Sequence, residues 1–189
     1  VTSTGAVKVL GIGGSLRDGS QTERALRVAL AGAADAGAET SAICGQALDL
    51  PFYDAVSVER TPRASELVEA VREADGLIVV SPGYHGALSG LIKNALDYLE
   101  DLRADRRPYL DGRAVGAVGV AYGWQAAVTT LDQLRTITHA LRGWPTPLGG
   151  AVNTGEVKFD AQGGVSEEKV EHTLRLIGSQ VTEFAQRRA

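Results

Sequence analysis

Apolar and polar positions alternate in blocks along this chain, and each block has a readable period. "VKVLGIGG" (7–14) is a short apolar run ending in glycines, the pattern of a buried strand. Residues 20–36 change to a helical period. Ser20 with Glu23 makes a capping-box pattern, and Ala25, Leu26, Ala29, Leu30 and Ala33 share one face. "AETSAICG" (38–45) reads as a second strand, and 46–61, with "LDLPFYDA", as a loop. A helix over 62–74 opens on Pro62, suited to a first turn. "GLIVVS" (76–81) is a third strand. The spacing of Leu88, Leu91, Ile92, Ala95, Leu96 and Leu99 predicts a helix over 88–101. A fourth strand (113–122), a helix (125–142), a weaker fifth strand "TPLGGAVN" (146–153) and a last helix over about 166–187 complete the pattern. Residues 154–165 read as a surface excursion.

Strands alternating with helices imply right-handed crossovers and a parallel sheet covered on both faces. Five strands in this order suit an α/β, flavodoxin-like doubly wound fold with strand order 2-1-3-4-5. No repeat or low-complexity tract interrupts the pattern, so residues 1–189 read as a single domain. In such folds ligands sit beyond the carboxyl ends of the strands, near the switch between strands 1 and 3. The loops after those two strands are therefore the first places to look for chemistry.

Composition narrows the functions. Hydrophobic residues make up 44% and charged residues 22%, values of an ordinary soluble globular protein. The net charge of -4 argues against a general nucleic-acid binder. No apolar run reaches the ~20 residues of a bilayer span. The opening stretch "VTSTGAVKVLGIGG" lacks a basic-then-apolar signal pattern, and the single cysteine, Cys44, has no partner for a disulfide. Both suit a cytoplasmic location. Cys44 closes an apolar strand and reads as a small buried hydrophobe.

The loop after strand 1, "GGSLRDGSQTE" (13–23), has the parts of an anion cradle. Its glycines let backbone N–H groups turn toward a charge, the helix start adds its dipole, and Ser15, Ser20, Gln21, Thr22 and Arg17 add donors. The triphosphatase motif G-x-x-x-x-G-K-[ST] is absent, and G-x-G-x-x-G fails because position 16 is Leu. A well-capped turn is the plainer reading of the same residues. The loop after strand 3, "SPGYHG" (81–86), sets Tyr84 and His85 between Gly83 and Gly86 after Pro82. Pro82 is expected to end the strand, and the glycines to allow unusual backbone angles beside a flat aromatic ligand. His85 has no second ligand residue at metal spacing and no G-x-S-x-G elbow elsewhere, so a metal centre and a serine hydrolase are both disfavoured.

Taken in order, "GGSLRDGSQT", "LPFYD", "ADGLIVVSPGYHGALSGLIKNALDYL" and "LDQLRTITHALRGW" resemble the NADPH-dependent FMN reductase family, over roughly residues 7–185. The resemblance implies a flavodoxin-like enzyme that takes a hydride from C4 of NADPH or NADH onto N5 of FMN. Electrons then pass to free flavin, a quinone, an azo compound or oxygen. It implies that Ser15, Arg17, Ser20, Gln21 and Thr22 hold the FMN phosphate. Pro82, Gly83, Tyr84, His85 and Gly86 are implied to line the ring and ribityl region, with His85 a proton donor or ring-edge hydrogen bonder. Gly123, Trp124 and Gln125, in "AYGWQA" (121–126), are implied to approach the pyrimidine end. A homodimer or tetramer with the site near the interface is implied as well. The chain departs from the family pattern at Gln21, where the family often has Asn, at Gly83, where it usually has Glu, and in the strand-4 loop, usually glycine-rich, where Tyr122, Trp124 and Gln125 stand. A flavodoxin-type electron carrier and a pathway-specific FMN enzyme of biosynthesis are the alternatives.

Overall fold

The computed structural model describes residues 5–188, so Val1–Thr4 and Ala189, and the sequence readings that fall on them, lie outside the described residues. The elements run β1 (Lys8–Gly13), α1 (Gln21–Asp35), β2 (Glu39–Cys44), α2 (Pro62–Glu73), β3 (Gly76–Tyr84) and β4 (Ala87–Leu88). They continue with α3 (Gly90–Asp97), β5 (Ala114–Ala121), α4 (Trp124–Ala140), β6 (Trp144–Pro145), β7 (Gly150–Asn153) and α5 (Glu168–Arg188). β1 pairs in parallel with β2 and β3, β3 with β5, and β5 with both β6 and β7. β7 falls within the expected fifth strand (146–153), and β6, at 144–145, lies just before it. With them counted as one and the short β4 set aside, the order is the expected 2-1-3-4-5.

The central strands bury both faces, as parallel strands between helices must. Along β3, Leu77 and Val79 enter the core beneath α2, α3 and α4, while Ile78 and Val80 enter the core beneath α1 and α5. β2 is an edge strand, exposed over its first four residues. Cys44 at its end is only half-buried, less enclosed than the sequence suggests. Burial and the Glu23 carboxylate push its thiol pKa up, away from nucleophile character.

Three expectations change. β3 does not stop at Ser81 but runs through Pro82, which stands opposite Val120 of β5. β1 has already ended, at Gly13 opposite Val80, so a missing N–H at Pro82 loses no ladder bond on that side. Leu88 is not helical; it pairs with Gly83, and α3 begins two residues later with Ser89 as its N-cap. The excursion after β7 is anchored. Phe159 is buried in the α1–α5 core, and its backbone is held by Gln21 and Arg24.

Candidate active site

β3 leaves the sheet as a tight hairpin. Gly83 pairs with Leu88 and Tyr84 with Ala87, so His85 and Gly86 form a two-residue turn. Both have positive φ, 50° and 84°, as in a type I′ turn, whose twist matches that of the flanking strands. Tyr84, His85 and Gly86 are exposed. Gly83 has a different role from the one its sequence context suggests. Its φ is not positive. A Cβ there would lie 2.6 Å from Thr130 Oγ1 and 3.0 Å from the Ala126 carbonyl oxygen. Gly83 therefore lets α4 pack directly against the hairpin.

The loop after β1 is shaped by Glu23. Ser20 Oγ accepts from Glu23 N–H (3.2 Å), and Glu23 Oε2 accepts from Gly19 N–H (2.9 Å). Its other oxygen accepts from Arg27 at 2.6 and 3.1 Å. Burial pushes the Glu23 pKa up, but the Arg27 guanidinium and the Gly19 amide outweigh it and hold the carboxyl below its ordinary value. Ser20 and Thr22 are buried. Gln21 has its carboxamide engaged in a reciprocal pair with the backbone of Phe159, at 3.0 and 2.9 Å. Arg17 forms no ion pair among the described residues, leaving its guanidinium available.

A cavity of about 380 Å³ lies between these two loops. Ser15, Leu16 and Arg17 form one wall, Pro82 and Tyr84 a second, and Ser89, Gly90 and Leu91 a third. The volume is in the range of about 300–1,000 Å³ usual for small-molecule sites. Anion donors at one end and apolar and aromatic surface at the other fit a phosphorylated flat ligand such as FMN. Leu16, Gly90 and Leu91 were not singled out from sequence. Gly90 and Leu91 read as part of a helix, and the start of α3 is what brings them to the cavity.

The loop after β5 is not part of that lining. Gly123 N–H donates to Asn153 Oδ1 (2.8 Å), and Asn153 Nδ2 donates to Glu156 Oε1 (2.8 Å). The Trp124 indole N–H donates to the same Glu156 oxygen (2.9 Å). This ties Trp124 into a separate cavity of about 480 Å³ between β7 and α5. Gly123 is the N-cap of α4 and, as a glycine, gives it no side-chain cap. No group of three or more His, Cys, Asp or Glu able to hold a metal ion occurs among the described residues, and no helix there is long and apolar enough to cross a membrane.

The family model for the NADPH-dependent FMN reductases matches residues 7–157, which contain both loops. The chain belongs to that family. This NADPH-dependent FMN reductase family member is an oxidoreductase that uses FMN and NAD(P)H. It is 29% identical over 178 residues to an NAD(P)H-dependent FMN reductase of Pseudomonas aeruginosa, covering 89% of this chain and 90% of that one. It is 30% identical over 190 residues to a quinone reductase of Escherichia coli, covering 95% and 94%. In fold it matches the flavoenzyme NAD(P)H:(acceptor) oxidoreductase FerB of Paracoccus denitrificans, with a TM-score of 0.77 at 18% identity, over 96% and 98% of the two chains.

Proposed function

We propose that the chain, as one domain, reduces a small-molecule acceptor with NAD(P)H, using FMN held in the 380 Å³ cavity. The observation that carries this is the meeting of Ser15 and Arg17 with Pro82 and Tyr84 around one space. Ser15 and Arg17, with the first-turn amides of Gln21 and Thr22 and the α1 dipole, hold the phosphate. Ser20 supports them as the N-cap rather than as a direct ligand. Pro82 and Tyr84, which line the cavity, would flank the ring and ribityl region, with Gly83, His85 and Gly86 in the hairpin that carries Tyr84. Held by these residues, FMN would supply the redox chemistry, as acceptor of a hydride from the nicotinamide and donor of electrons to the acceptor.

The chain's own task is binding, orientation and electrostatics. The loop after β5 lies outside the lining of this cavity and its Gly123 N–H is engaged by Asn153, so only the uncapped amides of Trp124 and Gln125 at the start of α4 would be left there as donors to a bound flavin. The exposed hairpin leaves the cavity mouth open to a nicotinamide and then to an acceptor. The relatives named for FMN and quinone reduction support free flavin and quinones as acceptors, with azo compounds and oxygen further candidates. A homodimer is the proposed assembly, and the cytoplasm the proposed location.

The test is anaerobic mixing of the protein with FMN and either NADPH or NADH. Bleaching of the flavin absorbance is expected; none with either nucleotide overturns the reading in favour of an electron carrier. Arg17→Ala removes a charge-assisted hydrogen bond and is expected to weaken FMN by about 10–100-fold. Undiminished affinity removes Arg17 from the site. A steady-state screen of flavins, quinones and azo dyes then ranks the acceptors.

A further inference from the structure

The hairpin that borders the cavity is held at its base and at its tip by different residues. At the base, Ser89 N–H donates to Ser81 Oγ (3.0 Å), and Ser81 Oγ donates to the Pro82 carbonyl (2.9 Å). At the tip, one side chain acts alone. Gln133, on α4, donates from Nε2 to the Gly86 carbonyl (2.9 Å) and accepts at Oε1 from Leu88 N–H (3.0 Å). No other side chain hydrogen-bonds to residues 84–88 among the described residues. β4 is only two residues long, and its ladder with β3 joins two residue pairs. So short a hairpin is marginal without outside support. The carboxamide supplies it, because one group presents a donor to the turn and an acceptor to the strand that leaves it.

We propose that Gln133 is a positioning residue for the reductase reaction. It sets Tyr84–His85–Gly86 against the flavin cavity by fixing Gly86 and Leu88, without touching cofactor or substrate. Gln133 is absent from the cavity lining, whereas Tyr84 is part of it. The seat beneath the hairpin is already close-fitting, since Gly83 abuts Thr130 and Ala126 of the same helix. α4 thus fixes the hairpin at two places, by contact at Gly83 and by hydrogen bonds at Gly86 and Leu88. The proposal rests on the reading that FMN occupies this cavity.

The decisive variant is Gln133→Met, which keeps the volume of the side chain and loses both bonds. Hydrogen exchange is measured first, on the apoprotein. Exchange of the Leu88 amide is expected to quicken by about tenfold, while exchange in β1 and β5 stays as it was. FMN affinity, followed by flavin fluorescence, is expected to fall about tenfold, because only part of the lost hydrogen bonding is felt at the cofactor. kcat/KM for NAD(P)H falls with it. Gln133→Glu keeps the acceptor for Leu88 N–H and is expected to fall between wild type and Gln133→Met. Unchanged exchange at Leu88 overturns the proposal. So does faster exchange with FMN affinity and kcat/KM unaltered, because Gln133 then merely holds a loop. Failure of the wild type itself to bind FMN overturns the reading of the cavity instead, and is seen in a different sample.

Discussion

His85 occupies a left-handed backbone position, φ 50°, at the first central residue of its turn. That geometry complicates the obvious test of the imidazole. Any residue with a Cβ is strained at positive φ, by roughly 1–2 kcal/mol, but His and Asn are enriched there relative to alanine, so His85→Ala disturbs the turn as well as removing the side chain. Asn tolerates positive φ, and Asn-Gly is a favoured pair for a type I′ turn. His85→Asn therefore keeps the hairpin and removes the imidazole. With the imidazole as proton donor, kcat falls in His85→Asn while FMN affinity holds. Equal kcat in steady-state assays would make His85 a turn residue only. Part of this was legible in the sequence: the composition of 81–86 announced unusual backbone angles, and Gly86 has one, beside His85. Gln133 was not, because its role depends on α4 lying against a hairpin 45 residues away in the chain. The engagement of Gln21 with Phe159 was hidden for the same reason, across 138 positions.

At the scale of elements, the contact between α4 and the end of β3 depends on what Gly83 lacks. Thr130 Oγ1 is fully buried without a hydrogen-bond partner among the described residues, and it is the atom that a Cβ at position 83 would strike. Gly83→Ala is expected to destabilise by about 1–3 kcal/mol through overpacking. In a Thr130→Ala background the same substitution meets one obstacle fewer, though the Ala126 carbonyl oxygen remains. The penalty should shrink by at least about 0.5 kcal/mol, the scale of coupling between residues in contact. A double-mutant cycle by urea unfolding measures the difference. Strict additivity would mean that the two positions do not share the space. The types of the α-helices and the longer strands were legible because each had a clear period, but the two-residue strands β4 and β6 were not. Boundaries failed where tertiary pairing overrode local signals. Leu88 fits the helical stripe of α3 yet pairs with Gly83, and Pro82 reads as a terminator yet lies in a strand. The fifth strand is broken because only Trp144–Pro145 and Gly150–Asn153 lie in register with β5.

Over the whole molecule, strand order and the placing of the cavity followed from the alternation of strands and helices, because parallel crossovers leave few topologies open. What the alternation did not show is the surface made by the strap over residues 49–61. The strap is well held. Asn94 Oδ1 accepts from Tyr53 N–H (2.9 Å), and Asn94 Nδ2 and the Tyr98 hydroxyl both donate to the Pro51 carbonyl, at 2.8 and 3.0 Å. Arg60 forks onto Asp101 at 2.7 and 2.8 Å, with its guanidinium 5.0 Å from the Tyr53 ring centroid and 5.6 Å from that of Tyr98. On this anchored strap Phe52, Val56 and Val58 stand 90%, 90% and 93% exposed. Apolar side chains on an ordered backbone lose little conformational entropy on docking, so the strap is preorganised for a partner. The proposed homodimer supplies one, since a twofold interface sets the same patch of each copy against the other. Sedimentation equilibrium of the wild type is expected to give a dimer. Phe52→Asp with Val58→Asp is expected to give a monomer with unchanged circular dichroism, because neither side chain is part of the chain's own core. A monomeric wild type, or a dimer indifferent to both aspartates, would leave the strap without this role.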